Sequence, residues 1–281
     1  MSAQPADRIG QVIGDRFRLD ALIGKGAMAH VYRALDQKTS AYVAIKILKL
    51  AFDGDPSAHQ RFAREADVQE RVRHHNVAAL LESGVTQFGE PFLALELLRG
   101  KTLRTVIRDE KCVHPLRAAS YAYQALQGLG AVHDAGILHR DLKPANIMLE
   151  PSPGPIDRVV VIDFGFATFE GSAKLTAQGA VVGSLRYIAP ERLRGEDIDH
   201  RSDVYSIGII LYELLTGAPP FVAASDMDLV EMHLHDIPDL GPVPAQLNDI
   251  LQIALAKDQD DRYSTAGEMA SALEGVAHEL A

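Results

Sequence analysis

The hydrophobic pattern of the first third of the chain is that of short strands. "YVAIKIL" (42–48) alternates and is rich in β-branched residues, and "FLALELL" (92–98) is a short apolar run. Between them, from about Pro56 to Val72, the spacing of Phe62, Ala66 and Val72 places apolar side chains on one side of a helix and charges on the other. The pattern predicts a small sheet with one main helix.

Beyond residue 100 the apolar spacing becomes helical. "PLRAASYAYQALQGLGAVHDAG" predicts a long buried helix that ends at Gly136, and "SDVYSIGIILYELLTG" predicts another, with Ser202 as N-cap and Gly217 as the stop. "AQLNDILQIALAKD" and "TAGEMASALEGVAHEL" predict two more, the last opening on a capping box of Thr265 and Glu268. Two short strands, "NIMLE" and "RVVVID", interrupt this helical region.

Composition and charge narrow the class of protein. The chain has 281 residues, 47% of them hydrophobic, and a formal net charge of -10, which disfavours nucleic acid or an anionic membrane as partner. The single cysteine, Cys112, is interpreted as a small packing residue of a protein from a reducing compartment. The chain shows neither a signal peptide nor an apolar run long enough to span a membrane. We therefore expect a cytoplasmic location, and a membrane-anchored parent protein stays open.

Several charged residues interrupt apolar strands, where an ionised group is costly unless it meets a counter-charge. Lys46 lies inside "VAIK", and Glu65 of the predicted helix is a candidate partner that would hold its ammonium for a diphosphate. The simpler alternative is an edge lysine that reaches water. Asp163 ends the buried strand "VVVID", where Mg²⁺ with bound phosphates would satisfy it.

The segment "ILHRDLKPANIMLE" concentrates polar groups between apolar flanks. So many polar groups need partners at once that a purely structural interpretation is disfavoured. Asp141 can accept a proton or orient a hydroxyl, Lys143 can neutralise a transferring phosphoryl group, and Asn146 offers a carbonyl oxygen to a hard cation. By contrast, "GKGAMA" at residues 24–29 is weak evidence alone, because two close glycines also occur in ordinary turns.

Taken together, these segments resemble the eukaryotic-like Ser/Thr protein kinases. The glycine loop, "VAIK", a helix glutamate, "HRDLKPAN", "DFG", "APE" and a late arginine occur in the order of that family, over about residues 17–275. The sequence of the glycine loop, "GKGAMAHVYRA", is most similar to that of bacterial members of the family. The resemblance implies an α+β, bilobal protein kinase fold: an N-terminal extension (1–16), a small β-rich N-lobe with one main helix (17–98) and a larger, mainly helical C-lobe (99–281).

The resemblance also implies a role for each matched position. Asp141, Lys143 and Asn146 would be catalytic, and Asn146 and Asp163 would bind the metal. The ATP-binding set would comprise the glycine-loop residues, the adenine-sandwiching residues, the phosphate-binding pair, the gatekeeper and the hinge: Ile23, Gly24, Lys25, Gly26, Val31, Ala44, Met148, Lys46, Glu65, Leu95, Glu96 and Leu98. Glu191 and Arg262 would form a structural ion pair, and Asp203 would brace the catalytic loop.

For regulation, the resemblance points to the segment from Asp163 to Glu191. Arg140 could pair with a phosphate there, and Thr176 is the favoured acceptor, ahead of Ser172 and Thr168. The alternative is that these are solvated loop hydroxyls.

The implied cofactors are ATP and Mg²⁺, with Mn²⁺ as a substitute, and the implied partners are protein substrates and a second copy for trans-autophosphorylation. Two other functions stay open at this point: a pseudokinase or nucleotide-binding scaffold, and a small-molecule kinase with the same ATP core.

Two positions depart from the family pattern, and two histidines suggest a possible metal site. Ala29 stands where a third loop glycine is usual, and Gln69 stands four residues after Glu65 where an apolar residue is common. His233 and His235 lack partners at zinc spacing and are interpreted as a solvated pair.

Overall fold

The computed structural model describes residues 8–26, 29–49, 63, 66–67, 69–154, 156–164 and 185–280. The chain divides into two compact units. The first comprises Met1–Arg73 and Ala78–Arg99, and the second comprises His74–Val77 and Gly100–Ala281.

The first unit is built on a six-stranded antiparallel sheet with strand order β1-β2-β3-β4-β6-β5. The strands are β1 (Val12–Ile13), β2 (Phe17–Lys25), β3 (Ala29–Asp36), β4 (Tyr42–Leu48), β5 (Leu80–Val85) and β6 (Pro91–Glu96). Because β1 pairs with β2, part of the predicted N-terminal extension folds with this sheet.

The two faces of this sheet carry different residues, as the alternation of β4 predicts. Val43, Ile45 and Ile47 enter a core cluster with Tyr32 and Phe92, and Ala44 and Lys46 point to the opposite face. The remaining predicted element, the helix at about 56–72, is described in part. Residues 63, 66, 67 and 69–71 are helical, Val72 already lies beyond the helix, and the rest of the span lies outside the described residues.

The second unit contains a three-stranded sheet and, among its described residues, seven α-helices. The strands, in the order β7-β8-β9, are β7 (Lys101–Thr102), β8 (Ile147–Glu150) and β9 (Arg158–Val161). The helices are α1 (Leu103–Glu110), α2 (Pro115–Asp134), α3 (Pro190–Arg194), α4 (Arg201–Thr216), α5 (Asp226–His235), α6 (Ala245–Ala254) and α7 (Ala266–Val276).

Helix α4 is the centre of this unit, since every residue from 202 to 215 is buried. A Cβ added at Gly208 would lie 2.9 Å from a methyl carbon of Leu255, so glycine lets α4 pack closely on the end of α6. Gly217, with φ +83°, ends the helix as predicted. The predicted N-cap is wrong: His200 occupies that position, and the Ser202 hydroxyl donates instead to the buried carboxylate of Glu191.

The predicted capping box of α7 forms with a shift of one residue. Thr265 Oγ1 accepts a hydrogen bond from the Glu268 N–H at 3.1 Å, and the Glu268 carboxylate accepts one from the N–H of Ser264 at 2.8 Å. Two further expectations fail. Cys112 is exposed, and His233 is fully buried, with Nδ1 3.0 Å from the Tyr205 hydroxyl. Of the predicted solvated pair, only His235 is exposed.

Candidate active site

The loop that begins at His139 is held by one buried carboxylate on α4. Asp203 is 2% exposed, and its Oδ2 accepts hydrogen bonds from the His139 N–H at 2.8 Å and from His133 Nε2 at 2.9 Å. Its Oδ1 accepts from the Arg140 N–H at 3.0 Å. Burial alone would raise the pKa of Asp203, but the hydrogen bonds from His133 and the loop hold that pKa below its usual value. The loop is therefore anchored to an ionised carboxylate.

His139 fixes the loop from the inside. Its ring is fully buried, and burial lowers its pKa, so the imidazole is neutral. Nε2 donates to the carbonyl of Ile162 at 3.1 Å, and Nδ1 accepts from the Asp141 N–H at 3.3 Å. The ring also packs on Phe164, with ring centroids 5.1 Å apart. One side chain thus connects the Asp141 backbone to the strand end that carries Asp163.

Asp141, Lys143 and Asn146 lie together. Lys143 Nζ is 2.6 Å from Asp141 Oδ2. Asn146 Nδ2 donates to the Asp141 carbonyl at 2.8 Å and approaches the same carboxylate oxygen at 3.2 Å. These contacts orient a partly exposed carboxylate beside a cation, an arrangement that can receive a hydroxyl proton while a phosphoryl group is neutralised.

The two candidate metal ligands lie at the same end of the β8–β9 hairpin. Ile147 pairs with Val161, and the Ile162 N–H donates to the Asn146 carbonyl at 3.0 Å. Asn146 therefore sits across from the residue before Asp163. Because Nδ2 of Asn146 is used by Asp141, its Oδ1 is the atom left for a hard cation. Asp163 adopts φ 60°, an uncommon backbone conformation for a residue other than glycine.

Arg140 also has a positive φ, 64°, which its backbone contacts hold in place. Its N–H binds Asp203, and its carbonyl accepts from the guanidinium of Arg192. Within the described part of the chain, no side chain accepts a hydrogen bond from its guanidinium.

In the first unit, the glycine segment joins β2 to β3. Gly24 pairs with Val31, and a Cβ on Gly24 would lie 3.3 Å from the Val31 Cβ. Lys25 ends β2, and the Gly26 N–H donates to the Ala29 carbonyl at 3.0 Å. Ala29 opens β3, 5% exposed and paired with Leu48. Its methyl group is thus part of the return strand.

The register of the sheet brings several predicted nucleotide contacts onto one face. Val31 pairs with Lys46, and Ala44 pairs with Leu95. Directly paired residues of antiparallel strands share a face, as do residues two apart on one strand. This face therefore carries Gly24, Val31, Ala44, Lys46 and Leu95, opposite the hydrophobic core.

The remaining predicted contacts lie at strand ends or in the other unit. Ile23 is 50% exposed on β2. Glu96 ends β6, where its N–H donates to the Ala79 carbonyl at 3.0 Å, and Leu98 follows it half-buried. Met148, on β8, belongs to the second unit.

The predicted structural pair is fully buried. Arg262 donates to both Glu191 oxygens, at 2.9 and 2.8 Å, and their side chains are 0% and 2% exposed. Although burial would raise the pKa of Glu191, the hydrogen bonds from Arg262 and Ser202 hold it below its usual value. Arg262 also donates Nε to the Ala256 carbonyl at 2.8 Å and lies over the Tyr205 ring.

Some predicted residues lie outside the described ranges, namely Glu65, Ser172, Thr176 and Thr168. Conversely, sequence reasoning missed His133 and Arg192, which hold Asp203 and the Arg140 carbonyl. The phrase "AVHDAG" marks His133 only as a histidine near a helix end. The partner of His133 is seventy residues away in the sequence, so only the fold identifies its role.

Comparison with known proteins gives the class. The family model described as "Protein kinase domain" matches residues 17–276, so the chain belongs to the protein kinase domain family. The predicted α+β protein kinase fold is thereby confirmed. In the described part of the chain, no helix is both long and apolar enough to cross a membrane.

Individual relatives are bacterial. The probable serine/threonine-protein kinase PknB of Corynebacterium glutamicum is 38% identical over 276 residues, which cover 93% of this chain and 42% of that protein. Serine/threonine-protein kinase PknB of Mycobacterium tuberculosis is 36% identical over 271 residues, 92% of this chain and 42% of that protein. The crystal structure of the M. tuberculosis PknI kinase domain superposes with a TM-score of 0.74 at 26% identity, covering 97% of this chain and 99% of that domain. The chain thus spans about two fifths of the length of these curated relatives.

Proposed function

We propose that this chain is a Ser/Thr protein kinase that transfers the γ-phosphate of ATP to protein hydroxyls. The observation that carries the proposal is the arrangement of Asp141, Lys143 and Asn146 on a loop anchored by Asp203. Lysine beside the catalytic aspartate, as in "DLKPAN", is typical of Ser/Thr rather than tyrosine kinases. Family membership supports the same reaction.

The chemistry assigned to the second unit is positioning and charge neutralisation, as expected for phosphoryl transfer. Asp141 orients the substrate hydroxyl and accepts its proton. Lys143 steadies the transferring group. Asn146 Oδ1 and the Asp163 carboxylate supply oxygen ligands suited to Mg²⁺, which would neutralise phosphate charge when bound.

In the first unit, we assign the nucleotide contacts to the sheet face opposite the core. Gly24 and Gly26 allow the backbone to approach phosphates, with Lys25 between them. Lys46 binds the α- and β-phosphates, with Glu65 as its proposed partner. The adenine contacts of this unit are assigned to Ile23, Val31 and Ala44, to the gatekeeper Leu95 and to the hinge backbones of Glu96 and Leu98. Met148, on β8, is assigned separately, from the family resemblance alone.

Transfer of labelled γ-phosphate to a generic basic protein, and to the chain itself, tests this function. We expect Mg²⁺-dependent transfer by the wild type and a loss of about 10²–10⁴-fold in Asp141→Asn, the range of general-base contributions. If both proteins bind Mg-ATP and neither transfers phosphate, the nucleotide-binding scaffold is the better function. A small-molecule kinase is disfavoured because it would lack the "APE" segment and its Arg262 partner.

Regulation by phosphorylation is a further part of the proposal. Arg140 is available to a phosphate, and Thr176 remains the proposed acceptor, ahead of Ser172. Trans-phosphorylation between two copies of the chain would add the phosphate to Thr176. Thr176→Ala is expected to lower both self-phosphorylation and activity, and an unchanged phosphate count and turnover would remove Thr176 from this role.

A further inference from the structure

The ten arginines of the second unit fall into two groups. Six of them form an ion pair with a carboxylate, namely Arg108, Arg117, Arg158, Arg194, Arg201 and Arg262. The other four, Arg104, Arg140, Arg186 and Arg192, form no ion pair with any described carboxylate. The chain has 38 acidic residues against 28 lysines and arginines, so a shortage of carboxylates does not explain the second group.

Two of the four unpaired arginines already have a place at the catalytic loop. Arg192 donates to the Arg140 carbonyl, and Arg140 is assigned above to a phosphate. Arg104 and Arg186 have no such assignment. Both side chains are exposed, and neither guanidinium donates a hydrogen bond to a described residue. A single exposed arginine needs no explanation, so the positions of these two decide whether they form a site.

Arg104 lies in the first turn of α1, beside the catalytic segment. Thr102, two residues before it, pairs with Met148, which follows the turn Pro144–Asn146 by two residues. Helix α1 packs on the same turn. The Arg104 side chain is therefore exposed on an element that contacts the catalytic loop directly.

The other end of α1 contacts the end of α4. The Val113 N–H donates to the Leu214 carbonyl at 2.8 Å, and a Cβ on Gly217 would lie 2.8 Å from the Lys111 carbonyl oxygen. These contacts place α1 between the catalytic loop and the last turn of α4, which carries Glu213.

Glu213 forms a buried pair with Tyr187, the residue that follows Arg186. The Tyr187 hydroxyl donates to Glu213 Oε2 at 2.8 Å. Burial raises the pKa of Glu213, and the Tyr187 hydrogen bond and the charges of Arg186 and Arg104 act against that shift. Both guanidinium groups therefore lie within electrostatic reach of one carboxylate, although neither is paired with it among the described contacts.

The turn that carries Arg186 also leads to the catalytic loop. Leu185–Tyr187 is followed by α3, from which Arg192 reaches the Arg140 carbonyl. Arg104 and Arg186 thus come from two separate elements, each of which is connected to the loop by a contact of its own.

The charge of this surface selects the ligand. An incoming cation would meet two guanidinium groups beside Glu213, which is itself only 9% exposed. A guanidinium presents its donors in a fixed fork that matches a carboxylate. A protein substrate must bring its hydroxyl to the adjacent catalytic loop, so an acidic side chain near that hydroxyl fits the two arginines.

We propose that Arg104 and Arg186 bind an acidic side chain of the protein substrate, close to the serine or threonine that is phosphorylated. This inference rests on the kinase function proposed above and gives it a preference for acidic sequences. Because the contact forms with the bound substrate and takes no part in phosphate transfer, it acts mainly on KM. A basic protein at high concentration therefore remains a substrate.

Three peptides that differ only beside a single serine test the preference. The flanking side chains are aspartates in the first peptide, asparagines in the second and lysines in the third, and kcat/KM is measured for each. The wild type should use the aspartate peptide about tenfold better than the asparagine peptide, and the lysine peptide least well. In the double variant Arg104→Glu, Arg186→Glu, the aspartate-to-asparagine ratio should fall to about one or below.

Arg108→Glu is the matched control for Arg104→Glu alone, because it makes the same charge change on the same helix, at an exposed residue paired with Asp109. Arg104→Glu should lower the aspartate-to-asparagine ratio about threefold, and Arg108→Glu should keep it within about twofold of wild type. Equal use of the aspartate and asparagine peptides by the wild type overturns the proposal. So does a preference for the lysine peptide, or a double variant that keeps the wild-type ratio.

Fluorescence anisotropy of the same peptides, labelled and mixed with Asp141→Asn, measures binding without phosphate transfer. The aspartate peptide should bind more tightly than the asparagine peptide, and added salt should narrow the difference. Equal affinities at low salt overturn the proposal. A wild type that phosphorylates none of the three peptides contradicts the kinase function, while the order of affinities still tests the two arginines, so the two failures are distinguishable.

Discussion

Two carboxylate–cation pairs of the second unit differ in their access to water. Glu191 and Arg262 are 2% and 0% exposed and share two hydrogen bonds of 2.8 and 2.9 Å. Asp141 and Lys143 are 19% and 26% exposed, with a closest approach of 2.6 Å. Glu191 of the first pair also accepts a hydrogen bond from the Ser202 hydroxyl, and Asp141 of the second accepts one from the Asn146 side-chain amide.

The difference indicates separate roles for similar chemistry. A buried, saturated pair has no atom left for a substrate, and removing one partner leaves an uncompensated charge in the core. A partly exposed pair adds little to stability, because water screens it, but its oxygens can reach a ligand. The buried pair should therefore determine folding, and the exposed pair should determine turnover.

The largest effect on folding is expected from Arg262→Ala. This change isolates the Glu191 carboxylate and removes the hydrogen bond to the Ala256 carbonyl. We expect a loss of about 3–5 kcal/mol in unfolding free energy, the range for one partner of a buried pair. Denaturant unfolding gives the value. Arg108→Ala, at an exposed pair with Asp109, is the control and should change stability by less than about 1 kcal/mol. A loss of that small size in Arg262→Ala would contradict the structural role.

Lys143→Met breaks the exposed pair instead. We expect kcat to fall by about 10²-fold, comparable to the loss of one preorganised electrostatic group, with unfolding free energy within about 1 kcal/mol of wild type. Steady-state kinetics at saturating ATP and denaturant unfolding measure the two. A variant that loses stability and keeps its turnover would reverse the assignment of roles.

His233 extends the comparison to a buried group that titrates. Burial and the neighbouring Lys257 lower its pKa from 6.5 to about 4, so the unfolded chain takes up a proton before the folded chain does. Its contribution to stability is therefore present above about pH 6.5 and is lost as the pH falls toward 4. Lys257, which donates to the His233 carbonyl at 2.8 Å, has a pKa of about 8 and stays protonated across this range.

In His233→Gln this proton uptake is absent. Relative to wild type, the variant should gain about 2 kcal/mol of unfolding free energy between about pH 7 and pH 5. Tyr205 also faces the ring, and its pKa lies above this range. His235→Gln, at an exposed position of the same helix, should show no such gain. Parallel pH profiles for wild type and His233→Gln would rule out the buried neutral imidazole.

The smallest effects are expected in the glycine segment of the first unit. A Cβ on Gly26 would lie 3.3 Å from the Ala29 carbonyl oxygen, so Gly26→Val should raise the KM for ATP by about tenfold or more. Ala29→Gly should change it by less than about twofold, because Ala29 already belongs to β3. ATP titrations of initial rate compare them. A large gain in ATP affinity from Ala29→Gly would show that the alanine restrains this segment.

Local patterns predicted the elements well, and contacts distant in sequence account for most of what they missed. The alternation of "YVAIKIL" is sufficient to place Lys46 opposite the core. The residue type of Ser202 favours an N-cap, but a buried carboxylate eleven residues earlier accepts the hydrogen bond of its hydroxyl. The sequence near His233 predicts a solvated side chain, because its partner, Tyr205, lies on another helix.

In the candidate site, too, local sequence identifies some residues and only the fold identifies the others. The motif order identified Asp141, Lys143, Asn146 and Asp163 because phosphoryl transfer needs these groups at fixed places along the chain. The residues that hold them are identified only by folding. The family resemblance predicts that Asp203 braces the loop. Its contact with His133 joins the ends of two helices and has no local signature in the sequence.

The most direct test compares turnover per folded molecule in Asp141→Asn and Arg262→Ala, each normalised by the folded fraction measured under assay conditions. We expect a loss of about 10²–10⁴-fold for Asp141→Asn, and turnover within about threefold of wild type for the molecules of Arg262→Ala that are folded. Wild-type turnover per folded molecule in Asp141→Asn would contradict this expectation.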